Sequence, residues 1–204
     1  MMNEDELQIF LAESKKTPYY AMFYTVLFTG MRRCEFLVLR WSDVDLLMCQ
    51  ISVTQTPHHL RDGSMVFRQP KTAKGRRMIS LSPSLALVVK EYKEKQTLDR
   101  MMVGVKLKET DLVFCTPEGK PLLPDSISNA WVRIVKRAGL GHFRLHDARH
   151  THASLLLKQG AHPKVVQERL GHATISTTLA LYSHVTPGLQ EAATKRFDEV
   201  LIPK

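Results

Sequence analysis

Apolar positions recur with helical spacing over most of the chain. At the start of the sequence they predict helices over residues 5–13 and 18–29, the second apolar on nearly every side and ended by Gly30, as is typical of a buried helix. Ser82 followed by Pro83 forms a good N-cap and first turn, which predicts a long helix from there to about Met101. Further helices are predicted over 126–138, 146–159, 163–170 and 175–182, with a last amphipathic one over 187–202.

Three strands in succession are predicted between the second helix and the long one. They are the segments CQISVTQT, SMVFRQP and RRMISLS, and TAKG is the expected turn between the last two. Neither a repeat nor a linker interrupts this order of elements. The fold class expected is therefore α+β, mostly helical, with a small three-stranded antiparallel sheet in a single domain over residues 1–204.

The composition is that of an ordinary globular protein with an excess of positive charge. Of 204 residues, 44% are hydrophobic and 24% charged, and 29 Lys and Arg against 20 Asp and Glu give a net charge of +9. No apolar run approaches the ~18 residues of a membrane span, and the acidic start MMNEDELQIF is unlike a signal peptide, so we expect a cytoplasmic protein without a membrane partner. Cys34, Cys49 and Cys115 lack CxxC spacing, which favours buried thiols over a disulfide or a zinc site.

The positive charge is concentrated in two stretches of the chain. Residues 68–77 contain no acid, and residues 126–167 contain only Asp147. The first stretch holds five cations: Arg68, Lys71, Lys74, Arg76 and Arg77. Nucleic acid is the commonest polyanion bound by such stretches, although either one alone is equally typical of a solvated face. Seven of the nine histidines lie between residues 142 and 184, so we expect chemistry to be located there.

Three segments contain residue types suited to a phosphate group. In FTGMRRCEF, Arg32 lies near a glutamate, an arrangement that is more often a structural ion pair than a phosphate clamp. In LHDARHTHAS, His146 and Arg149 are three residues apart on one helix face, close to the positive end of the helix. In GHATISTTLALYSHV, Tyr182 follows His172 by ten residues, on an apolar stripe that is usually core.

Taken together and in this order, these segments resemble the catalytic domain of the tyrosine recombinases, also called the phage integrase family. The resemblance extends over residues 21–185 and includes TGMRRCE, the PKTAKGRR hairpin, HDARHTHAS, and LGH followed by LYSHV. It implies two catalytic arginines, a histidine in the HxxR motif, a second histidine, a tyrosine nucleophile and a hairpin lysine. In that order these are Arg32 and Arg149, His146, His172, Tyr182 and Lys71.

The register of the hairpin decides which lysine reaches the phosphate. Lys74 lies three residues beyond Lys71, so the choice between the two stays open at this point. The other residues expected to contact nucleic acid are Lys74, Arg76, Arg77 and Arg144.

The resemblance implies a site-specific recombinase that cleaves and rejoins double-stranded DNA through a 3′-phosphotyrosyl intermediate, without metal, ATP or another cofactor. The residue types fit this chemistry. A free tyrosine phenol, with a pKa of about 10, is almost fully protonated at pH 7, so a base such as His146 is needed to accept its proton. Two guanidiniums neutralise the phosphodiester, His172 is suited to donate to a nonbridging oxygen, and a lysine is suited to protonate the leaving 5′ oxygen.

The resemblance also implies partners. The expected assembly is a homotetramer on DNA that is monomeric when free, with accessory directionality proteins as further partners. Family members usually carry an N-terminal DNA-binding domain, which this sequence does not show, so we expect a catalytic fragment. The 187–202 helix is expected either to dock on a neighbouring protomer or to fold back on its own core.

Three other interpretations fit part of the sequence. His146 and His150 have the spacing of the HExxH zinc motif, but Asp147 is one methylene shorter than the usual glutamate and Arg149 would place a cation beside the metal. A DNA-binding protein with the same fold and no activity is the second interpretation. A topoisomerase-like enzyme that uses the same tyrosine chemistry without strand exchange is the third.

Overall fold

The computed structural model describes residues 1–54, 56–59, 65–68 and 76–185. Helices make up most of this part and, apart from the short α3, lie where their patterns predicted them. Their bounds are α1 Glu4–Ser14, α2 Tyr20–Thr29, α3 Arg33–Leu37, α4 Pro83–Met102, α5 Pro124–Arg137, α6 Asp147–Lys158, α7 Pro163–Leu170 and α8 Ile175–Val185. The Ser82 hydroxyl accepts a hydrogen bond from the Leu85 amide at 3.3 Å, which confirms the predicted N-cap of α4. The predicted 187–202 helix lies outside the described residues.

The strands are short and form two sheets. Their bounds are β1 Val44–Asp45, β2 Gln50–Val53, β3 Thr56–His59, β4 Met65–Arg68 and β5 Arg77–Ser80. An antiparallel three-stranded sheet has the order β1-β2-β5, with Ile51 opposite both Val44 and Ile79. Strands β3 and β4 form a separate antiparallel pair.

The three-stranded sheet is confirmed, but two of its details differ from the prediction. Within the segment CQISVTQT the strand β2 covers only Gln50–Val53, and β3 begins at the last residue, Thr56. After β2 the Thr54 hydroxyl donates to the Asp43 carboxylate at 2.8 Å and ties the chain back to the preceding turn. The SMVFRQP strand pairs with β3 instead of joining the sheet. Its place is taken by β1, which a tight turn connects to β2: the Asp45 carboxylate accepts from the amides of Leu47 and Met48. The predicted TAKG turn lies outside the described residues.

Aromatic side chains at the centre of the main core join the N-terminal helices to α5. Phe10 of α1 and Phe23 of α2 both contact the Trp131 ring of α5, with ring centroids 4.2 and 5.1 Å away. A second, smaller apolar cluster lies between α6 and α7. The three cysteines are free thiols, as expected, but each is partly exposed instead of buried.

The elements that carry the predicted site residues meet between the two apolar clusters. Helix α2 packs against α6, and α7 packs against both α6 and α8. The end of α2, the first turn of α6 and the end of α7 therefore lie together. Among the helices of the described ranges, none is both long enough and apolar enough to cross a membrane.

Candidate active site

The turn after α2 presents the first arginine. Gly30 ends α2 with a φ of 65°, and the chain reverses so that Arg32 directly precedes α3. The Arg32 amide and guanidinium donate to the two carboxylate oxygens of Glu35, each at 2.8 Å, and a second guanidinium nitrogen donates to the Gly171 carbonyl at 2.7 Å. The Arg32 side chain keeps 38% of its surface exposed. More than a third of the surface of the Arg32 side chain is thus accessible to a bound group.

The second arginine is buried beneath the first. Arg149 lies on the first turn of α6, is 5% exposed, and donates at 2.7 Å to the carbonyls of Gly30 and Leu170. Burial, and next the charge of Arg32, lower its pKa, although the guanidinium stays cationic at neutral pH. Among the described residues no carboxylate forms an ion pair with it, so its charge is balanced there by backbone dipoles and by Glu35 at longer range.

A third arginine shares the Glu35 carboxylate. Arg77, at the start of β5, donates to both Glu35 oxygens at 3.0 and 2.8 Å and to the Arg169 carbonyl at 2.7 Å. Burial alone would raise the pKa of Glu35, which is 2% exposed, but hydrogen bonds and charge from Arg77 and Arg32 hold it below its usual value. Arg77 was expected to contact nucleic acid. Its guanidinium is buried and bonded within the protein, and contact with DNA stays a prediction.

The end of α7 holds all three guanidiniums. Its last carbonyls would otherwise lack partners, and they carry the negative end of the helix dipole. The successive carbonyls of Arg169, Leu170 and Gly171 accept from Arg77, Arg149 and Arg32 in turn, each at 2.7 Å. The three cations are therefore fixed by one short stretch of backbone, which we call the carbonyl row, residues 169–171.

Sequence reasoning missed the role of Arg169. Its side chain donates to the carbonyls of Phe28 and Ser80, both at 3.0 Å, and to the His152 ring at 3.1 Å, so it joins the ends of α2 and β5 to α6. Burial, and then the charge of Arg169, lower the pKa of His152 to about 3, which keeps that ring neutral. A cation in the last turn of a helix usually interacts with its own helix end, so no local pattern pointed to these wider contacts.

The two histidines of the predicted site differ in environment. His146 is exposed, just before α6, and its ring lies edge-on to that of His150, with centroids 5.0 Å apart. His172 is partly buried, and its Nδ1 lies 2.9 Å from the Thr178 hydroxyl. Burial, followed by the charges of Arg149 and Arg32, lowers the pKa of His172 to about 4, so its ring is neutral at pH 7.

The structure brings some of the predicted residues together, whereas the side chains of others lie outside its described part. Arg32, Arg149 and His172 surround the carbonyl row. His146 lines a cleft of about 400 Å³ together with Arg149 and Arg144. Arg144 is highly exposed, and its guanidinium lies 3.5 Å from the Asp147 carboxylate; Arg76 is also exposed. Tyr182 lies on α8, but its side chain is outside the described part, as are Lys71 and Lys74.

The arrangement is suited to bind an anion. Three guanidiniums, those of Arg32, Arg77 and Arg149, lie around the buried Glu35 carboxylate, so the cluster keeps a net positive charge. Forked N–H donors match the geometry of phosphate oxygens. In the parts of the chain described, no group of three or more His, Cys, Asp and Glu side chains is placed to hold a metal ion, so the zinc interpretation of His146 and His150 lacks a third ligand there.

Comparison with known proteins places this arrangement in a family. The sequence model of the Phage integrase family matches residues 1–188. The chain is 33% identical over 183 residues to the ICEBs1 integrase of Bacillus subtilis (strain 168), and 30% identical over 193 residues to a tyrosine recombinase XerC-like protein of Caldanaerobacter subterraneus subsp. tengcongensis. Each alignment includes 89% of this chain and 49% of the relative, so the chain spans about half the length of these relatives.

Solved structures show the same fold. The Tn1549 transposon integrase in complex with transposon right end DNA superposes with a TM-score of 0.79 at 22% identity, over 99% of this chain and 66% of that one. The XerA recombinase gives a TM-score of 0.71 at 22% identity, over 100% and 65% of the two chains. With the family match over nearly the whole sequence and the two curated relatives, these findings confirm the predicted resemblance: the chain belongs to the phage integrase family of tyrosine recombinases.

Proposed function

We propose that this chain is the catalytic part of a site-specific recombinase that cleaves and rejoins double-stranded DNA through a 3′-phosphotyrosyl intermediate. The observation that carries the proposal is the buried Arg149 guanidinium, which has carbonyl partners but no carboxylate within the described residues and lies beside the partly exposed Arg32. A phosphodiester supplies the missing negative charge. Curated relatives are named integrase and tyrosine recombinase, and the matched Tn1549 integrase was solved with DNA.

In the proposed reaction the Tyr182 oxygen attacks the scissile phosphorus. A bond forms between this oxygen and phosphorus, and the bond from phosphorus to the 5′ oxygen breaks. His146 accepts the phenol proton, and Lys71 or Lys74 gives a proton to the leaving 5′ oxygen. The energy of the phosphodiester is kept in the phosphotyrosyl bond. Attack by a 5′ hydroxyl then reverses the step on the same or another strand, and no ATP or metal is consumed.

The arginines lower the barrier by binding the negative charge that grows on the phosphate. Ionising a free phenol at pH 7 costs about 4 kcal/mol, since its pKa is about 10 and each unit is worth 1.36 kcal/mol. Donors that are already in place stabilise the transition state without reorganising, and each one is worth about 10²- to 10³-fold in rate. Arg32 and Arg149 are such donors, because the carbonyl row fixes them before DNA arrives.

We further propose a homotetramer on two DNA sites as the active form, with a free chain that is monomeric. The 187–202 segment docks on a neighbouring protomer in this assembly. Arg76 and Arg144, both exposed, contact the DNA backbone together with Lys74.

Covalent trapping tests the proposed function. The chain is incubated with a nicked duplex that loses a short 5′ fragment upon cleavage, and the products are separated on a denaturing gel beside those of the Tyr182→Phe variant. We expect a protease-sensitive, slowly migrating band that forms in the presence of a chelator and is lost in the variant. A band that persists in Tyr182→Phe would overturn the assignment of the nucleophile. A continued blank with a matched DNA site, and with a DNA-binding domain added in trans, would indicate a DNA-binding protein without activity.

A further inference from the structure

Thr178 makes an unusual contact for a helical threonine. It lies on the first turn of α8, its side chain is fully buried, and its hydroxyl is 2.9 Å from Nδ1 of His172. The backbone of His172 is held as well, because its N–H donates to the Gln167 carbonyl and its own carbonyl accepts from the Gln167 side chain. The ring is thus fixed at the backbone and at one of its two nitrogens.

The direction of the hydrogen bond follows from the other threonines. A helical threonine commonly donates its hydroxyl hydrogen to the carbonyl four residues earlier. Thr25 and Thr29 do so in α2, at 2.7 and 2.6 Å. Within the described residues Thr178 has no such bond, and the ring of His172 is the partner of its hydroxyl. If that hydroxyl accepted from Nδ1, its own buried hydrogen would have no acceptor among the described residues, at an energetic cost. It therefore donates to Nδ1.

The direction matters because the His172 ring is neutral at pH 7, with a pKa of about 4. A neutral imidazole carries one N–H, so its nitrogens have opposite roles, one as donor and one as acceptor. A ring that accepts at Nδ1 must carry its proton on Nε2. Only this tautomer offers a donor to a nonbridging phosphate oxygen.

We propose that Thr178 is a positioning residue, whose hydroxyl donates to Nδ1 of His172 and keeps the proton of the ring on Nε2. The tautomer is a property of the free protein. Its use in binding the phosphate rests on the proposed function.

The tautomer is measured directly by NMR of the 204-residue chain labelled with ¹⁵N in its histidine rings, at pH 7. We expect the His172 Nδ1 resonance at the position of an unprotonated acceptor nitrogen and Nε2 at that of a protonated nitrogen. His172→Asn identifies the signals. Thr178→Val should give a mixture of the two tautomers of the His172 ring. Thr178→Ser, which keeps the hydroxyl, should show the tautomer of the parent chain. Thr177→Val, a change at the exposed neighbour, should leave the tautomer unaltered. A proton on Nδ1 in the parent chain, or a Thr178→Val ring identical to the parent, would overturn the proposal.

A second readout connects the tautomer to the reaction. In the trapping assay, Thr178→Val is expected to slow formation of the covalent complex by about 2- to 10-fold, the worth of one hydrogen bond, with DNA affinity unchanged and with recovery in Thr178→Ser. Thermal unfolding of each variant shows whether it is folded, and Thr178→Ala, which also lacks the hydroxyl, takes the place of Thr178→Val if that variant is not. If the parent chain forms no covalent complex, the proposed function fails while the NMR result still decides the role of Thr178. A rate unchanged in folded Thr178→Val would overturn the role in positioning.

Discussion

Glu35 is the residue on which the arrangement of the cations depends. Its carboxylate accepts hydrogen bonds from Arg32 and Arg77. Because the residue is buried, these two guanidiniums, and not water, stabilise its negative charge. Removing the negative charge would leave the Arg32 and Arg77 guanidiniums without their shared acceptor, close to the buried Arg149. We therefore expect the carboxylate to stabilise the fold as well as the site.

Replacing Glu35 by Gln should lower the free energy of unfolding at pH 7 by about 3 kcal/mol, since breaking a buried ion pair strands the partner charges. The pKa of Glu35 is below its usual value of 4.5 in the folded protein, so its contribution is fully present above pH 4.5 and is lost as the pH falls through the folded pKa. Urea unfolding of the parent and the variant at pH 7, 5 and 3 measures this.

The difference in the free energy of unfolding between the parent and Glu35→Gln should be largest at pH 7 and smaller at pH 3. Glu94→Gln is the matched control. Glu94 lies 4.0 Å from Lys90 at the surface, with 64% of each side chain exposed, and an exposed pair of this kind contributes little to stability. A gap for Glu35→Gln that is the same at all three pH values would contradict this role of the carboxylate.

Sequence reasoning reached the charged residues of the site but not the way they are held. The motif TGMRRCE left two roles open for Arg32, an ion pair or a phosphate clamp, and the structure shows the ion pair with part of the side chain still exposed. Arg77 looked like another surface cation because its segment contains no acid. Its partner Glu35 is 42 residues away, and only folding brings the two together.

At the scale of elements, the site depends on the close approach of two helix ends. Gly30 ends α2 with a left-handed φ of 65°, which a residue with a side chain adopts only at a cost. A Cβ at this position would lie 2.5 Å from the Leu170 side chain and 2.8 Å from the His152 ring. The Gly30 carbonyl also accepts a hydrogen bond from Arg149. Any shift of this turn therefore moves the oxygen that holds the Arg149 guanidinium.

Gly30→Ala should therefore destabilise the protein by about 3 kcal/mol, from the unfavourable φ together with overpacking against α6 and α7. Gly139 provides the control, because it has nearly the same φ of 66° but no described atom within 4 Å of the place where a Cβ would lie, so Gly139→Ala should cost only about 1 kcal/mol. Urea unfolding of both variants gives the two values. Equal losses would show that the contacts with Leu170 and His152 do not matter.

The elements were predictable to different degrees. Helix α7 has its predicted bounds, since Pro163 at its start and Gly171 after its end are strong local signals. The strands were less predictable, because CQISVTQT has strand character throughout and nothing within it marks the break at Thr54. That break depends on the hydroxyl contact with Asp43, eleven residues earlier in the chain.

At the scale of the whole molecule, the net charge of +9 favours a polyanionic partner, and the proposed function makes this partner DNA. Binding that neutralises phosphates releases counterions, so the affinity falls steeply as salt is added. The cations near the cleft should determine most of this salt dependence.

Arg144→Gln tests this expectation. The residue lines the cleft beside His146, and losing one phosphate contact should reduce the slope of log affinity against log salt by about 1. Lys95→Gln is the control, because Lys95 is as exposed as Arg144, with 70% against 71% of the side chain, but lies on α4, away from the cleft. Fluorescence anisotropy with a labelled duplex across a salt series measures the slopes, and equal slopes in the two variants would contradict the proposed contact.

The carbonyl row has a consequence for how this protein can vary. The atoms that hold Arg32, Arg77 and Arg149 at residues 169–171 belong to the main chain, so an exchange that leaves the path of the backbone unchanged keeps them. Only a change in the path of the chain, such as an insertion before His172 or a bulky residue at Gly171, can take them away. Exchanges at the exposed positions of α7 can therefore leave the acceptors of the candidate site unaltered, so its geometry tolerates variation in the sequence around it.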